Sequence, residues 1–325
     1  MELIDSYGRK ISYLRLSVTD RCNMRCSYCM PAEGITKLHR KDILCYDELF
    51  RIAHEAVALG IEKIRVTGGE PLVRNGIAAF LARLAGIPGL RQLVLTTNGL
   101  RLAGMAEELR SAGVQRLNIS LDSLQPDTFS RITRGGELSR VMAGIAAAEH
   151  SGFPIKINMV VMRGVNDNEV IDFASLAIHR PYTVRFIEYM PVIKENNWRS
   201  LTVPGSEILA RIGERFAYRP LDLKELAGPA REYRIEGGVG TIGVITPISG
   251  HFCEGCNRIR VTSTGIARGC LFSNAETDLK PYVRTYDIHG LREALLQIVT
   301  SKPDRHQLSA RQADHSPFPM ARVGG

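Results

Sequence analysis

Six apolar runs rich in β-branched residues, each followed by a stretch of helical periodicity, constrain the fold of this chain more than any other feature. The runs cover residues 13–18, 61–67, 92–97, 116–121, 155–162 and 184–189. After them, apolar residues return every three or four positions over 47–59, up to about 84, and over 103–111, 126–150 and 169–179. Strands separated by helices specify parallel βαβ units with right-handed crossovers, and a series of such units curls into a full or partial β/α barrel. Past Pro204 the pattern changes. Residues 206–216 still read as helical, but short β-like pieces follow at 232–235, 240–247 and 258–262, then a helix at 288–299 and a polar tail. We therefore expect a barrel domain over 1–216 and a smaller α/β domain over 217–325. A chain of 325 residues, 44% hydrophobic, can fill two cores of that size.

Residues able to do chemistry gather just after the predicted strands, on the rim where β/α barrels carry their active sites. They include Gly68-Gly69-Glu70-Pro71, Thr96-Thr97-Asn98-Gly99, Ser120-Leu121-Asp122-Ser123 and Met190-Pro191. Ahead of these, Cys22, Cys26 and Cys29 follow the first strand. Three thiols within eight residues cannot all pair as disulfides, so a metal centre is the natural reading. A cuboidal iron–sulfur cluster held by three thiolates keeps one iron open to a ligand, whereas a structural zinc would need a fourth donor such as His39 or His54. A second set, Cys253, Cys256 and Cys270, also lacks a fourth cysteine, and a zinc there would draw on His251. Arg258 and Arg260 follow it on a strand-like stretch whose alternation puts both on one face. Arg15, Arg65, Lys156 and Arg185 lie on predicted strands, where inward charge is costly unless a ligand or counter-ion pairs it; a solvated or salt-bridged role is the alternative. Gly68 and Gly69 would let backbone approach a ligand closely, or form a plain turn. Cys45 reads as an ordinary small hydrophobe.

Seven cysteines in two compact sets plus one do not form a secreted disulfide framework, so a reducing compartment, the cytoplasm, is expected. Residues 1–10 lack an apolar export segment, and no apolar stretch is long enough to span a bilayer. The net charge of +8 favours a polyanionic partner. With no basic run or basic-aromatic tail, that partner reads as a nucleotide rather than a nucleic acid.

The first cysteine set, with Tyr28 before its last member, resembles the cluster motif of the radical S-adenosylmethionine (SAM) superfamily. Over essentially the whole chain the sequence is similar to the GTP 3′,8-cyclases, the radical SAM family that opens molybdenum cofactor biosynthesis. The supporting stretches are 14–22, 65–71, 95–99, 118–122, 156–158 and 185–190, the cysteine-arginine set at 253–270, and the terminal Gly324-Gly325. The resemblance implies an incomplete, TIM-like β/α barrel with the C-terminal domain across its mouth. It implies two 4Fe-4S clusters: Cys22, Cys26 and Cys29 would hold the one that cleaves SAM, and Cys253, Cys256 and Cys270 one whose open iron takes guanine. Tyr28, Gly68, Gly69, Glu70, Ser120 and Met190 would line the SAM site. Arg15, Arg65, Thr96, Lys156, Arg185, Arg258, Ile259 and Arg260 would lie near GTP. A 5′-deoxyadenosyl radical would take the ribose 3′ hydrogen and the carbon radical would attack guanine C8, with Arg15 and the Gly324-Gly325 tail assisting catalysis. An external electron donor and a functional link to cyclic pyranopterin monophosphate synthase follow by the same resemblance, with homodimer formation left open. Two other readings are a peptide-modifying maturase with an auxiliary cluster and a zinc-stabilised nucleic-acid-binding protein. The stretch 192–198 departs from the family pattern in lacking a glycine.

Overall fold

The computed structural model describes residues 2–191, 198–222, 226–306 and 320. The expectations for the 192–198 loop, Trp198 aside, and for Gly324 and Gly325 lie outside the described residues. The six expected strands form as β1 (Tyr13–Ser17), β2 (Lys63–Thr67), β3 (Gln92–Thr97), β4 (Arg116–Ser120), β5 (Ile155–Val161) and β6 (Thr183–Glu188). They are joined in parallel, each to the next, through α1 (Tyr46–Ala58), α2 (Ile77–Ala85), α3 (Ala106–Ser111), α4 (Pro126–Thr133), α5 (Leu138–His150) and α6 (Val170–His179). Their two faces differ sharply. Leu14, Leu16, Ile64, Val66, Leu93, Leu95, Leu117 and Ile119 pack into the core shared with the helices, while the alternate positions Arg15, Arg65, Asn118, Lys156 and Arg185 turn to the opposite, inner face.

The next helices are α7 (Trp198–Leu201) and α8 (Gly205–Gly213), after which come β7 (Tyr218–Pro220), β8 (Arg231–Ile235), β9 (Thr241–Ile245), β10 (Arg258–Val261), β11 (Ile266–Arg268) and β12 (Thr277–Asp278). The chain closes with α9 (Lys280–Thr285) and α10 (Ile288–Thr300), which lie against α1 and tie to it through Arg284–Glu48 (3.0 Å) and Arg292–Glu55 (2.6 Å). Among the described residues one sheet runs β12-β11-β10-β1-β2-β3-β4-β5-β6-β9-β8-β7. β10 joins β1 and β9 joins β6, both in parallel, and the hairpin partners beyond them are antiparallel. β6 does not pair with β1, so the barrel is incomplete, as expected.

The C-terminal segment thus extends both edges of the same sheet. From the end of β9 to the start of β10, residues 246–257 must descend the whole height of the parallel strands. Glu188 fixes the start of that descent: its buried carboxylate accepts from the main-chain N–H of Gly205 (2.7 Å), Ile248 (3.0 Å) and Ser249 (3.0 Å). Cys45 proves to be exposed and caps α1 rather than filling a core; its N–H donates to Glu48 at 2.6 Å, completing a capping box. No described helix is long and apolar enough to cross a membrane.

Candidate functional site

Strand register turns the inner face into a belt of cations. Arg15 stands between Arg65 and Arg260 in one row, and Tyr13 between Lys63 and Arg258 in the next. The Lys63 ammonium and Arg65 guanidinium lie 4.6 and 5.4 Å from the Tyr13 ring centre, a cation–π arrangement. Arg185 donates to Asn118 Oδ1 at 2.5 Å, Lys156 pairs with Glu232 at 2.5 Å, and Lys63 donates to the Leu226 carbonyl at 2.8 Å. The buried Nε atoms of Arg65, Arg116 and Arg185 have no hydrogen-bond partner among the described residues. Burial, then repulsion from Arg116, Arg65 and Arg185, pushes Lys63 down to about 6. Burial and Arg185, against the attraction of Glu232, bring Lys156 to about 8; burial and Arg65 bring Arg185 to about 9. Burial first, and then the nearness of so many like charges, disfavours the charged forms, so an anion placed among them would restore those forms.

Two cavities lie along this belt and share Arg65 and Arg185 in their walls. A small chamber of about 100 Å³ is floored by Lys63, Arg116, Lys156 and Arg185 and closed by the 226–232 stretch. A larger cavity of about 260 Å³ is lined by both cysteine sets and by Tyr28, Gly68, Gly69, Glu70, Thr96, Ser120, Met190, Arg15, Arg258 and Arg260.

The first cysteine loop follows β1 and is clasped by the turn after β2. The N–H groups of Gly69 and Glu70 donate to the carbonyls of Thr19 (2.7 Å) and Arg21 (2.8 Å). A Cβ on Gly69 would fall 2.3 Å from the Arg21 oxygen and one on Gly68 2.7 Å from the Thr19 oxygen, so both glycines are needed for the cysteine loop's own backbone to come near. Glu70 accepts from Leu72 N (3.0 Å), Thr97 Oγ1 (2.8 Å) and Asn98 N (2.7 Å), pinning the ends of β2 and β3 together; burial nevertheless pushes its carboxyl up to about 7. Tyr28 donates to Asp122 at 2.7 Å, and Asp122, also held by Val160 N–H at 2.9 Å, is pushed up to about 6 by burial. Tail residue Met320 reaches this wall, its N–H donating to the Cys29 carbonyl at 3.3 Å.

The second set approaches from the other end of the strands. Cys253 and Cys256 precede β10, whose first residue Arg258 is level with Tyr13 at the start of β1, and Cys270 follows the antiparallel β11. Lys156, the second residue of β5, and Arg258, brought to the start of β10 by the descent from β9, both sit at strand starts rather than at the C-terminal rim. Arg258 lies 3.6 Å from Cys256 Sγ and 5.0 Å from the Phe252 ring centre. Burial raises the Cys256 thiol, but Arg258 and then Lys302 overcome it, and the net value falls to about 6. Ile259 points the other way, into the outer core, so only its main chain shares the site.

His39 is exposed and His54 pairs with Glu55 on α1; neither lines the cavity. His251, Cys253 and His306 do come together, their ligand atoms within 4.8 Å. A single tetrahedral zinc draws its thiolates to about 3.8 Å of one another. Among the described residues no other such trio is gathered that tightly, so neither three-cysteine set is drawn to a single-ion spacing. Three thiols around a shared cavity wall, with no fourth cysteine, fit a larger cluster with one open iron at each set. Lys63, Tyr13, Arg116, Lys302 and His306 were not anticipated. The first three were readable by counting back two along a strand from Arg15, Arg65 and Asn118; the last two carry no local signal.

Comparison with known proteins agrees with this geometry. The Radical SAM superfamily model matches residues 16–177 and the Molybdenum Cofactor Synthesis C model residues 182–308. Among solved structures, Streptococcus suis SuiB aligns with a TM-score of 0.63 over 91% of this chain and 68% of its own, at 13% identity, a likeness of fold alone. A protein of Alkaliphilus oremlandii named GTP 3′,8-cyclase is 44% identical over 99% of both chains. One of the same name from Geobacter sulfurreducens is 67% identical over the full length of both. An incomplete β/α barrel whose two open-sided cysteine sets face one cation-lined cavity, with that full-length identity, means that the chain belongs to the GTP 3′,8-cyclase family of radical SAM enzymes.

Proposed function

We propose that the protein converts GTP to (8S)-3′,8-cyclo-7,8-dihydroguanosine 5′-triphosphate, the first step of molybdenum cofactor biosynthesis. The single observation that carries this reading is the belt of mutually repelling cations around a cavity that both cysteine sets share. In it, Cys22, Cys26 and Cys29 hold one 4Fe-4S cluster, and Cys253, Cys256 and Cys270 hold the other. When bound, the first cluster and SAM supply the adenosyl radical that takes the ribose 3′ hydrogen, and the second supplies an iron for the guanine and helps complete reduction.

The chain's own residues do the positioning. Lys63, Arg65, Arg116, Lys156 and Arg185 hold the triphosphate in the smaller chamber, with charge-assisted hydrogen bonds replacing the repulsion among them. Arg258 and Arg260, two residues apart on β10, clamp the nucleotide beside the second set, with Arg15 in the next strand completing the row. Tyr28, Gly68, Gly69, Ser120 and Met190 line the SAM side, where Glu70 acts through the turn it pins. Pro247, Phe252, Cys253 and Cys256 of the 246–257 descent wall the cavity, and the terminal Gly324-Gly325 would assist catalysis, as the family resemblance implies. Residues 1–216 serve as the radical-generating part and 217–325 as the substrate-holding part, working in the cytoplasm with an external electron donor. A homodimer is a compatible assembly, and cyclic pyranopterin monophosphate synthase is the consumer of the product. An anaerobic assay of reconstituted protein with SAM, a reductant and GTP tests the reading: 5′-deoxyadenosine should appear and GTP decline together. SAM cleavage that leaves GTP untouched but modifies a peptide would favour the maturase alternative.

A further inference from the structure

The stretch Lys302–His306, just past α10, lies across the second cysteine set and makes contacts that nucleotide binding does not explain. Lys302 is buried, 3% exposed, although it is a lysine near a chain end. Its ammonium donates to Cys256 Sγ at 3.3 Å, to the Arg258 carbonyl at 3.1 Å and to the Gly269 carbonyl at 2.6 Å. One charge therefore touches a sulfur of the set and ties the strand that follows Cys256 to the residue that precedes Cys270. Four residues on, His306 comes beside Cys253, its ring nitrogen and the Cys253 sulfur within 4.8 Å of each other. The strap is fastened from behind by Arg9, whose guanidinium donates to the carbonyls of Cys253 (2.9 Å), Pro303 (2.7 Å) and Asp304 (2.8 Å) and is itself anchored by Asp5 at 2.6 Å. Gly269 lets the strap pass: a Cβ there would lie 3.2 Å from Lys302 Cα.

Reducing an iron–sulfur cluster adds one negative charge to it. Its potential is set by cluster type, net charge, hydrogen bonds to the sulfurs and solvent exposure, and the groups just outside the ligands adjust these. A fixed ammonium on a ligand sulfur favours the reduced state. We propose that Lys302 is a positioning residue that raises the reduction potential of the second cluster by holding its charge on Cys256, with the Lys302–His306 strap as its mount. This rests on the reading that Cys253, Cys256 and Cys270 hold a cluster.

The experiment is an EPR-monitored potentiometric titration of reconstituted wild-type, Lys302→Met and Lys302→Arg proteins, with iron and sulfide content measured on each. Lys302→Met should keep its iron and shift one of the two reduction waves, the one whose EPR signal changes on adding GTP. At the wild-type midpoint the reduced-to-oxidised ratio of that wave should fall about tenfold or more, which is about 59 mV for one electron. The other wave should stay in place, and Lys302→Arg should restore the wild-type value. An unmoved wave in iron-replete Lys302→Met overturns the proposal. So does a shift that Lys302→Arg fails to reverse, since structure rather than charge would then be the cause. If Lys302→Met loses its iron, wild-type protein grown with 15N-lysine decides: hyperfine coupling of one lysine nitrogen to the reduced second cluster supports the contact, and its absence overturns it. Wild-type protein with iron for only one cluster would instead overturn the reading on which the proposal rests.

Discussion

Filling the small chamber with a triphosphate should take up protons, and the amount can be worked out from the groups that surround it. Lys63 on β2 faces Arg65 on its own strand, Arg116 on β4, Lys156 on β5 and Arg185 on β6, with Glu232 on β8 as the nearby paired acid. Burial and these cations hold Lys63 at about 6 and Lys156 at about 8. At pH 8 without nucleotide, Lys63 is then about 99% neutral and Lys156 about half protonated. An anion placed beside them restores the charged forms, so binding gains about one proton at Lys63 and about half at Lys156. The terminal phosphate, with its second pKa near 6, is already ionised at that pH and adds nothing. Because protons enter on binding, raising the pH opposes it. Between about pH 6 and 8, Lys63 alone should cost up to about tenfold in GTP affinity per pH unit, about 1.4 kcal/mol each.

Calorimetric titration of GTP at pH 8 in three buffers of different ionisation enthalpy reads the proton count directly. Wild type should show uptake of about 1.5 protons, and Lys63→Met about 0.5. No uptake in wild type, uptake unchanged in Lys63→Met, or affinity that rises with pH would each refute the reasoning. Folding has the opposite sign. A lysine depressed in the native state binds its proton more readily when unfolded, so the nucleotide-free protein should gain stability as pH rises from about 6 toward the ordinary lysine range.

Cys26→Ser should leave the fold intact and abolish 5′-deoxyadenosine formation with GTP present, because one lost thiolate removes an iron ligand rather than core volume. Arg258→Ala and Arg260→Ala should each weaken GTP binding by about one to two orders of magnitude, the loss of roughly 1.5–3 kcal/mol per charge-assisted contact; unchanged affinity in both would move the clamp elsewhere. Gly69→Ala puts a methyl 2.3 Å from the Arg21 carbonyl, so reconstituted protein should bind roughly half the wild-type iron, and full iron content would contradict the clasp. Deleting Gly324 and Gly325 should spare both clusters and GTP binding while removing cyclisation, a result that full product formation by the shortened protein would exclude.

The parts of this fold that depend on local pattern were readable in advance, and the parts that depend on distant edges were not. Alternation in Leu14-Arg15-Leu16 and Ile64-Arg65-Val66 places apolar residues on the helix side and arginines on the other, which fixes strand, face and cation belt together. Counting back two reaches Tyr13 and Lys63, so half of the phosphate chamber was within reach and was missed only because those residues taken singly read as ordinary strand positions. Nothing in Thr241–Ile245 or Arg258–Val261 says which strand they pair with. That choice depends on edges exposed by β6 and β1, the second of them more than two hundred residues away, and no local periodicity encodes it. The same holds for Lys302: at the end of a helix and before a polar tail it reads as a solvated cation, and only the fold lays it on Cys256. The glycines of the 68–69 turn permit a close backbone approach, as their residue type suggests, and the neighbour that requires it is the cysteine loop's own backbone.

The length of β1 explains why one sheet must carry both cysteine sets. The first set leaves its C-terminal end after Ser17, and the second enters beside β10, whose first residue is level with Tyr13. Five strand residues at about 3.3 Å each put roughly 17 Å between those ends. On the proposed function, GTP would lie between them with its base at the strand starts beside Arg258 and its ribose toward the opposite rim. Its triphosphate would then run sideways along the strand starts to Lys63, Arg116 and Lys156, where burial depresses both lysines. In the nucleotide-free state burial holds Lys63 largely neutral and leaves Lys156 to its pair with Glu232, and an arriving anion would stabilise the charged forms of both, adding binding free energy to the folded state.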